Sequence, residues 1–232
     1  TMQSGKKMGK SLGNVINIED ALNDYPAETI RLYLLQNHYR SPLPWSGEAL
    51  NEALSMLARL YEAIELAEAM GGQEKAEDVA KALGEDAQTV LELGTSFHTK
   101  MLSFLDEDFN TSGVLGLAFE LARAINRFSA HKESRKRGGP LVKEALLGLR
   151  SMNKAIGLLG DDAKGFQSEV KSKCLRAMVL DASTIEEKLV DRKEARANKN
   201  WATSDQIREE LDAMGILIMD TADGVEWRVK LT

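Results

Sequence analysis

The chain has 232 residues, a net charge of -6, 43% hydrophobic residues, four prolines and one cysteine. That length affords one substantial core and a small satellite, and a lone Cys174 excludes an internal disulfide or a cysteine-rich zinc site. The acidic balance excludes a protein that holds nucleic acid by a diffuse positive field, so any RNA contact must be local and shaped.

Abundant Ala, Leu, Glu, Lys and Met tilt the propensity sum toward helix, and a mainly α protein is expected. Residues 1–14, TMQSGKKMGKSLGN, read as an irregular Gly- and Lys-rich loop. With no strand or helix ahead of that loop to anchor it, an N-terminal partner domain is expected. Asn17 or Asp20 is suited to cap a short helix, and Pro26 to open a second whose inward face carries Ile30, Leu34 and Asn37. The segment 38–47, HYRSPLPWSG, is turn-rich and marks a boundary.

Four amphipathic helices should follow, with stripes at spacings of three and four. The first, over 48–70, carries Leu50, Leu54, Leu57, Tyr61 and Ile64 and ends at Gly71 and Gly72. The second, over 85–106, carries Val90, Leu93, Phe97, Met101 and Phe104. Asn110, Thr111 and Ser112 offer capping oxygens for the third, with Leu115, Phe119, Ala122 and Ile125. After a basic loop over 132–140 comes the fourth, with Leu141, Ala145, Leu149, Met152 and Ile156. Four such helices joined by short loops imply an antiparallel bundle.

The pattern weakens over 166–182, which reads as a linker holding at most a short helix. Two charged helices then precede a pair of β-type runs around an Asp-Gly turn, a hairpin signal, with Gly215 placed to end the second helix. The expected architecture is therefore a front loop and contact segment over 1–47, a helical bundle over 48–165, the linker, and a small α+β module over 183–232. No apolar run approaches the roughly 20 residues of a membrane helix and no signal-peptide pattern is present, so a cytoplasmic protein is expected.

SGKKMGKS, residues 4–11, nearly matches the Gly-rich loop that cradles phosphates, but that loop needs a buried strand before it and a helix after it, and neither is legible. KMGKSLGN, residues 7–14, instead resembles the KMSKS loop of class I aminoacyl-tRNA synthetases, with Gly9 at the usual Ser position. Three further blocks resemble the cysteinyl-tRNA synthetase family in family order: IRLYLLQNHYRS from residue 30, EDFNTSGVLGLAFELARAIN from residue 107, and RKEARANKNWATSDQIREELDAMGI from residue 192. Ser112 stands where that family usually has proline.

The resemblance implies an ATP-dependent ligase that joins cysteine to its tRNA. This chain would carry the tRNA-binding C-terminal part, with the catalytic domain as its missing N-terminal partner, and would not aminoacylate alone. Lys10, with Lys7 assisting, would stabilise charge building on the departing pyrophosphate of ATP bound with Mg. Zinc is expected only in the missing domain, because no Cys/His/Glu set fits it here and the three histidines are scattered. Anticodon contacts map onto Arg196, Trp201, Asp205 and Asp220: directional polar groups for base edges and an indole for stacking. His38 and Arg40 map near the inner bend of the tRNA. The partner is the tRNA specific for cysteine, and a monomer is expected.

Each site reading has a plainer counterpart. Trp201 is a packing residue on that view, Asp220 a turn cap, Trp227 a core residue of the strand, and the lysines a solvated loop. Two rivals for the whole chain are a related cysteine ligase acting on an amino sugar, and a helical scaffold without RNA binding.

Overall fold

The computed structural model describes the backbone of residues 2–3, 6–7, 17–221 and 224–231, and the side chains of 17–219 and 224–231. Two short strands, β1 (Met2–Gln3) and β2 (Lys6–Lys7), pair antiparallel with Met2 opposite Lys7. Two helices follow, α1 (Ile18–Asp24) and α2 (Ala27–Leu35). Asn17 occupies the cap position of α1 without a side-chain bond, and Pro26 sits just before α2, where its missing N–H costs nothing. The buried residues of α2 are Thr29, Ile30, Leu32 and Tyr33, while Leu34 is exposed. Tyr33 fills the inner face in its place by setting its ring edge-on to Trp45 at 5.5 Å.

The bundle consists of α3 (Gly47–Glu68), α5 (Glu85–Asp106), α6 (Thr111–Ser129) and α8 (Gly139–Ile156). Most of each expected stripe is buried, with Leu57, Tyr61, Phe97, Ile125 and Leu149 fully enclosed, while Phe104, Phe119 and Ile156 are half-buried against the core. Ser46 caps α3 by accepting from the Ala49 amide at 3.1 Å. Asn110 does the same for α6 through the Gly113 amide at 2.9 Å. Thr111 serves differently: its buried hydroxyl donates to the Leu35 carbonyl at 2.8 Å and ties the start of α6 to the end of α2. Helices α5 and α8 approach closely because glycines line the crossing. A Cβ on Gly94 would lie 2.8 Å from the Ala145 amide nitrogen, and one on Gly148 would lie 2.8 Å from the Phe97 Cβ.

Two helices occupy stretches read from the sequence as polar or as a basic loop, although Ala76, Val79, Ala80 and Leu83 of the first fall at helical spacing and pack on the core. Helix α4 (Ala76–Leu83) buries Val79 and Ala80, and α7 (Lys132–Arg137) takes the place of the expected basic loop. Its only buried residue is Ser134, and Arg137 is held by a bidentate pair to Glu74, both contacts at 2.7 Å.

The expected linker is also helical over most of its length. Helix α9 (Ala163–Met178) is capped by Asp162, whose carboxylate accepts from the Gly165 amide at 2.7 Å. Its Phe166 and Val170 join the bundle core, with Phe166 stacked on Tyr61 at 4.2 Å, while Leu175 belongs to a second core. Spaced four apart, Phe166, Val170 and Cys174 form a stripe that intervening Lys and Ser residues conceal. Helix α9 therefore serves both cores rather than merely connecting them.

The second core is that of the terminal module: α10 (Ala182–Ala197), α11 (Trp201–Ala213) and the antiparallel pair β3 (Ile216–Thr221) and β4 (Gly224–Val229). Ile185, Ile207, Leu211, Ile216 and Trp227 fill it. The molecule is thus mainly α, a helical bundle with a small α+β module ending in a hairpin. Among the described residues no helix is long and apolar enough to cross a membrane.

Candidate nucleic-acid interface

Helices α10 and α11 are antiparallel neighbours joined by a tight turn, and that turn decides where the expected site residues lie. The Asn200 amide donates to the Ala195 carbonyl at 2.8 Å and the Lys199 amide to the Arg196 carbonyl at 3.1 Å, closing the end of α10. Lys199 adopts a left-handed φ of 54° to allow this. The Asn200 side chain then accepts from the Thr203 amide at 3.3 Å and opens α11.

Three of the expected residues consequently lie either side of this turn, in the last turn of α10 and the first two turns of α11. Arg196 lies in the last turn of α10 and is exposed. Trp201 is the first residue of α11 and is 58% exposed, so its indole is not a packing element. Asp205, four residues on and exposed, shares a flank with Trp201, since residues so spaced sit one turn apart. The opposite face of α11 is committed to the core through Ser204, Ile207 and Leu211. An exposed aromatic face can stack on an unstacked base, and guanidinium and carboxylate groups can hydrogen-bond base edges.

The other expected residues stand apart. The backbone of Asp220 lies in β3 opposite Val225, and its side chain is outside the described residues. Lys7 is in β2, with only its backbone described, and Lys10 lies outside the described residues altogether. Trp227 is buried in the second core, as expected of the inward side of β4. The Lys171 ammonium sits 3.4 Å from its ring centroid, and burial there holds the lysine below its ordinary pKa.

What the sequence does not signal is how the module is held against the bundle. Arg228 of β4 donates to Glu62 at 3.1 Å and Glu65 at 2.8 Å on α3, three residues apart and so on one face. An open cleft of about 880 Å³ runs between α3, α9 and β4, bordered by Arg59, Lys164 and Lys171 among others. Within the module, Lys188 pairs with Glu210 across α10 and α11, holding that carboxyl below its ordinary value, and Lys230 pairs with Asp212. No group of three or more His, Cys, Asp or Glu side chains among the described residues is placed to hold a metal.

Curated relatives align with nearly the whole chain, and three family models match separate parts of it. Residues 1–55 match the model of the catalytic domain of class I (C) tRNA synthetases, 101–160 that of the DALR domain, and 183–228 that of the cysteinyl-tRNA ligase anticodon binding domain. Among curated relatives, the chain is 34% identical over 227 residues to the cysteine–tRNA ligase of Geobacter sulfurreducens, an alignment covering 98% of this chain and 46% of that protein. It is 38% identical over 225 residues to that of Methylococcus capsulatus, covering 96% and 43%. For that of Haemophilus influenzae the identity is 37% over 229 residues, covering 98% and 43%. The chain therefore spans somewhat under half the length of these relatives.

Proposed function

Because the chain belongs with the cysteinyl-tRNA synthetases and corresponds to the C-terminal part of those ligases, we propose that it binds the tRNA specific for cysteine and reads its anticodon. The observation that carries this reading is the exposed Trp201 indole at the Asn200-capped start of α11, on a module matching an anticodon-binding family. Trp201 supplies the stacking face, while Arg196 donates to and Asp205 accepts from the edges of splayed bases. Asp220 is assigned to the same task from the resemblance. Net charge over the module is not positive, so selectivity rests on shape and directional bonds rather than on attraction.

The reaction served is the ATP-dependent attachment of cysteine to tRNA in the cytoplasm. Lys10, assisted by Lys7, would place positive charge against the departing pyrophosphate, in a site that also takes Mg. Losing such a contact typically costs about 10²- to 10³-fold in rate. Cysteine selection by zinc is assigned to a catalytic portion outside these residues, and the chain is taken to act as a monomer.

Titration of labelled tRNA against the protein tests the anticodon reader. Trp201→Ala and Arg196→Ala should each weaken binding about tenfold or more, and the protection of anticodon nucleotides from chemical probes should fade with it. Unchanged affinity in both variants would leave a helical scaffold that does not bind RNA at this end.

A further inference from the structure

Among the described residues, three Phe, Tyr or Trp side chains stand exposed: Trp201 in the terminal module, and Tyr39 and Phe109, 60% and 68% exposed, on the bundle. The latter two are brought to one place by the chain. Tyr39 follows α2, Phe109 precedes α6, and the buried Thr111 hydroxyl fastens those two ends together at 2.8 Å.

Tyr39 belongs to an organised polar array that includes Asp108, the neighbour of Phe109 in the chain. The Tyr39 hydroxyl donates to Asp108 Oδ1 at 2.7 Å, and Arg40 donates through Nε to the Tyr39 oxygen at 2.9 Å and through Nη2 to Asp108 Oδ1 at 3.2 Å. The His38 ring stacks on Tyr39 at 4.8 Å, with its Nε2 3.6 Å from Asp108 Oδ2. A long, flexible side chain and an exposed phenol are thereby held in fixed orientations.

The backbone supports a special purpose for Phe109. Asp108 and Phe109 both adopt left-handed backbone, with φ of 50° and 54°, an unfavourable conformation for non-glycine residues and unusual at a bulky one. The Asn110 amide, bonded to the Phe104 and Glu107 carbonyls at 3.1 Å each, holds this turn in place. Its result is an apolar ring turned to water rather than toward the core, where a phenylalanine gains most.

The charges narrow the ligand. Asp106 and Glu107, both exposed, flank the turn, and the Arg40 guanidinium is already engaged by Asp108. Such a surface repels a phosphodiester. It accepts a flat, neutral group carrying N–H donors, since carboxylates accept from the amino and imino groups of a base edge. We propose that Phe109, beside the Tyr39–Asp108–Arg40 array, is a stacking site for one unpaired nucleobase of the bound tRNA, separate from the Trp201 end. This rests on the tRNA-binding reading above and adds a second, base-directed contact on the bundle.

The test compares the full chain with its Phe109→Ala and Phe109→Tyr variants on an unmodified tRNA transcript, by binding across a salt series and by chemical footprinting. Phe109→Ala should weaken binding about tenfold without altering the salt dependence, because stacking releases no counterions, and Phe109→Tyr should restore it. One protected nucleotide outside the anticodon should become reactive in the Ala variant while the anticodon stays protected. Identical affinity and footprint with and without the ring, over a protected anticodon, overturn this site alone. An anticodon left unprotected by the unmodified chain would instead overturn the wider reading.

Discussion

Replacing Gly94 and Gly116 by alanine, one at a time, separates helix propensity from packing. Both glycines lie inside bundle helices, and alanine is favoured over glycine there by about 1 kcal/mol. At Gly116, on the exposed side of α6, an added Cβ meets nothing within 4 Å, so the variant should be more stable by about that amount. At Gly94 the new Cβ would lie 2.8 Å from the Ala145 nitrogen, 3.1 Å from its Cα and 3.3 Å from its Cβ. None of these atoms can move by a rotamer change, so α5 and α8 must part. Overpacking of this kind costs about 1–3 kcal/mol, and the rigid neighbours point to the upper half of that range. After subtracting the propensity gain, Gly94→Ala should destabilise by about 1–2 kcal/mol, and the two variants should differ by about 2–3 kcal/mol. Urea unfolding followed by far-UV circular dichroism measures both. A Gly94→Ala protein as stable as Gly116→Ala would show that the close approach of these helices is not what the glycine serves.

Val179, a β-branched residue left-handed at φ 54°, ends α9 with its side chain 91% exposed; Val179→Gly keeps the capping amide and should raise stability by roughly 1 kcal/mol in the same assay. An unchanged or lowered midpoint would contradict that account. Burial pushes the Cys174 thiol above its ordinary pKa. The stabilisation associated with that shift is complete below the unfolded thiol's pKa and is lost as pH rises through the folded value. Alkylation of native protein should accordingly lag that of urea-unfolded protein most strongly around the ordinary thiol pKa, and equal rates there would refute it.

The long bundle helices were readable because burial imposes a 3.6-residue period on strongly apolar positions. Where burial falls on a polar residue that signal vanishes, as in α7, whose sole buried residue is Ser134; in α4 the stripe Ala76, Val79, Ala80 and Leu83 is present but spans only two turns within a polar stretch. Leu34 looks inward by type, yet Tyr33 claims the space by pairing with Trp45, a decision taken by a distant residue. In the terminal module the residue types suited to base contact were legible. The tight turn that joins their two helices was not, because it depends on the left-handed Lys199 and the double use of Asn200. Nor could the partners of Arg228 be read, lying more than 160 positions away in the chain.

Helix α3 is bonded on one flank to the front of the molecule, through Asn51 to Tyr25 and Tyr61 to Glu28, and on another to β4 through Glu62 and Glu65. It therefore works as a ruler. Inserting a single residue between Tyr61 and Glu62 would swing the carboxylates about 100° around the axis and carry them about 1.5 Å along it, leaving the guanidinium facing the wrong side. The spacing between the α1–α2 segment and the terminal hairpin is thus graduated in whole residues of one rod. A residue added in a connecting loop leaves that alignment intact.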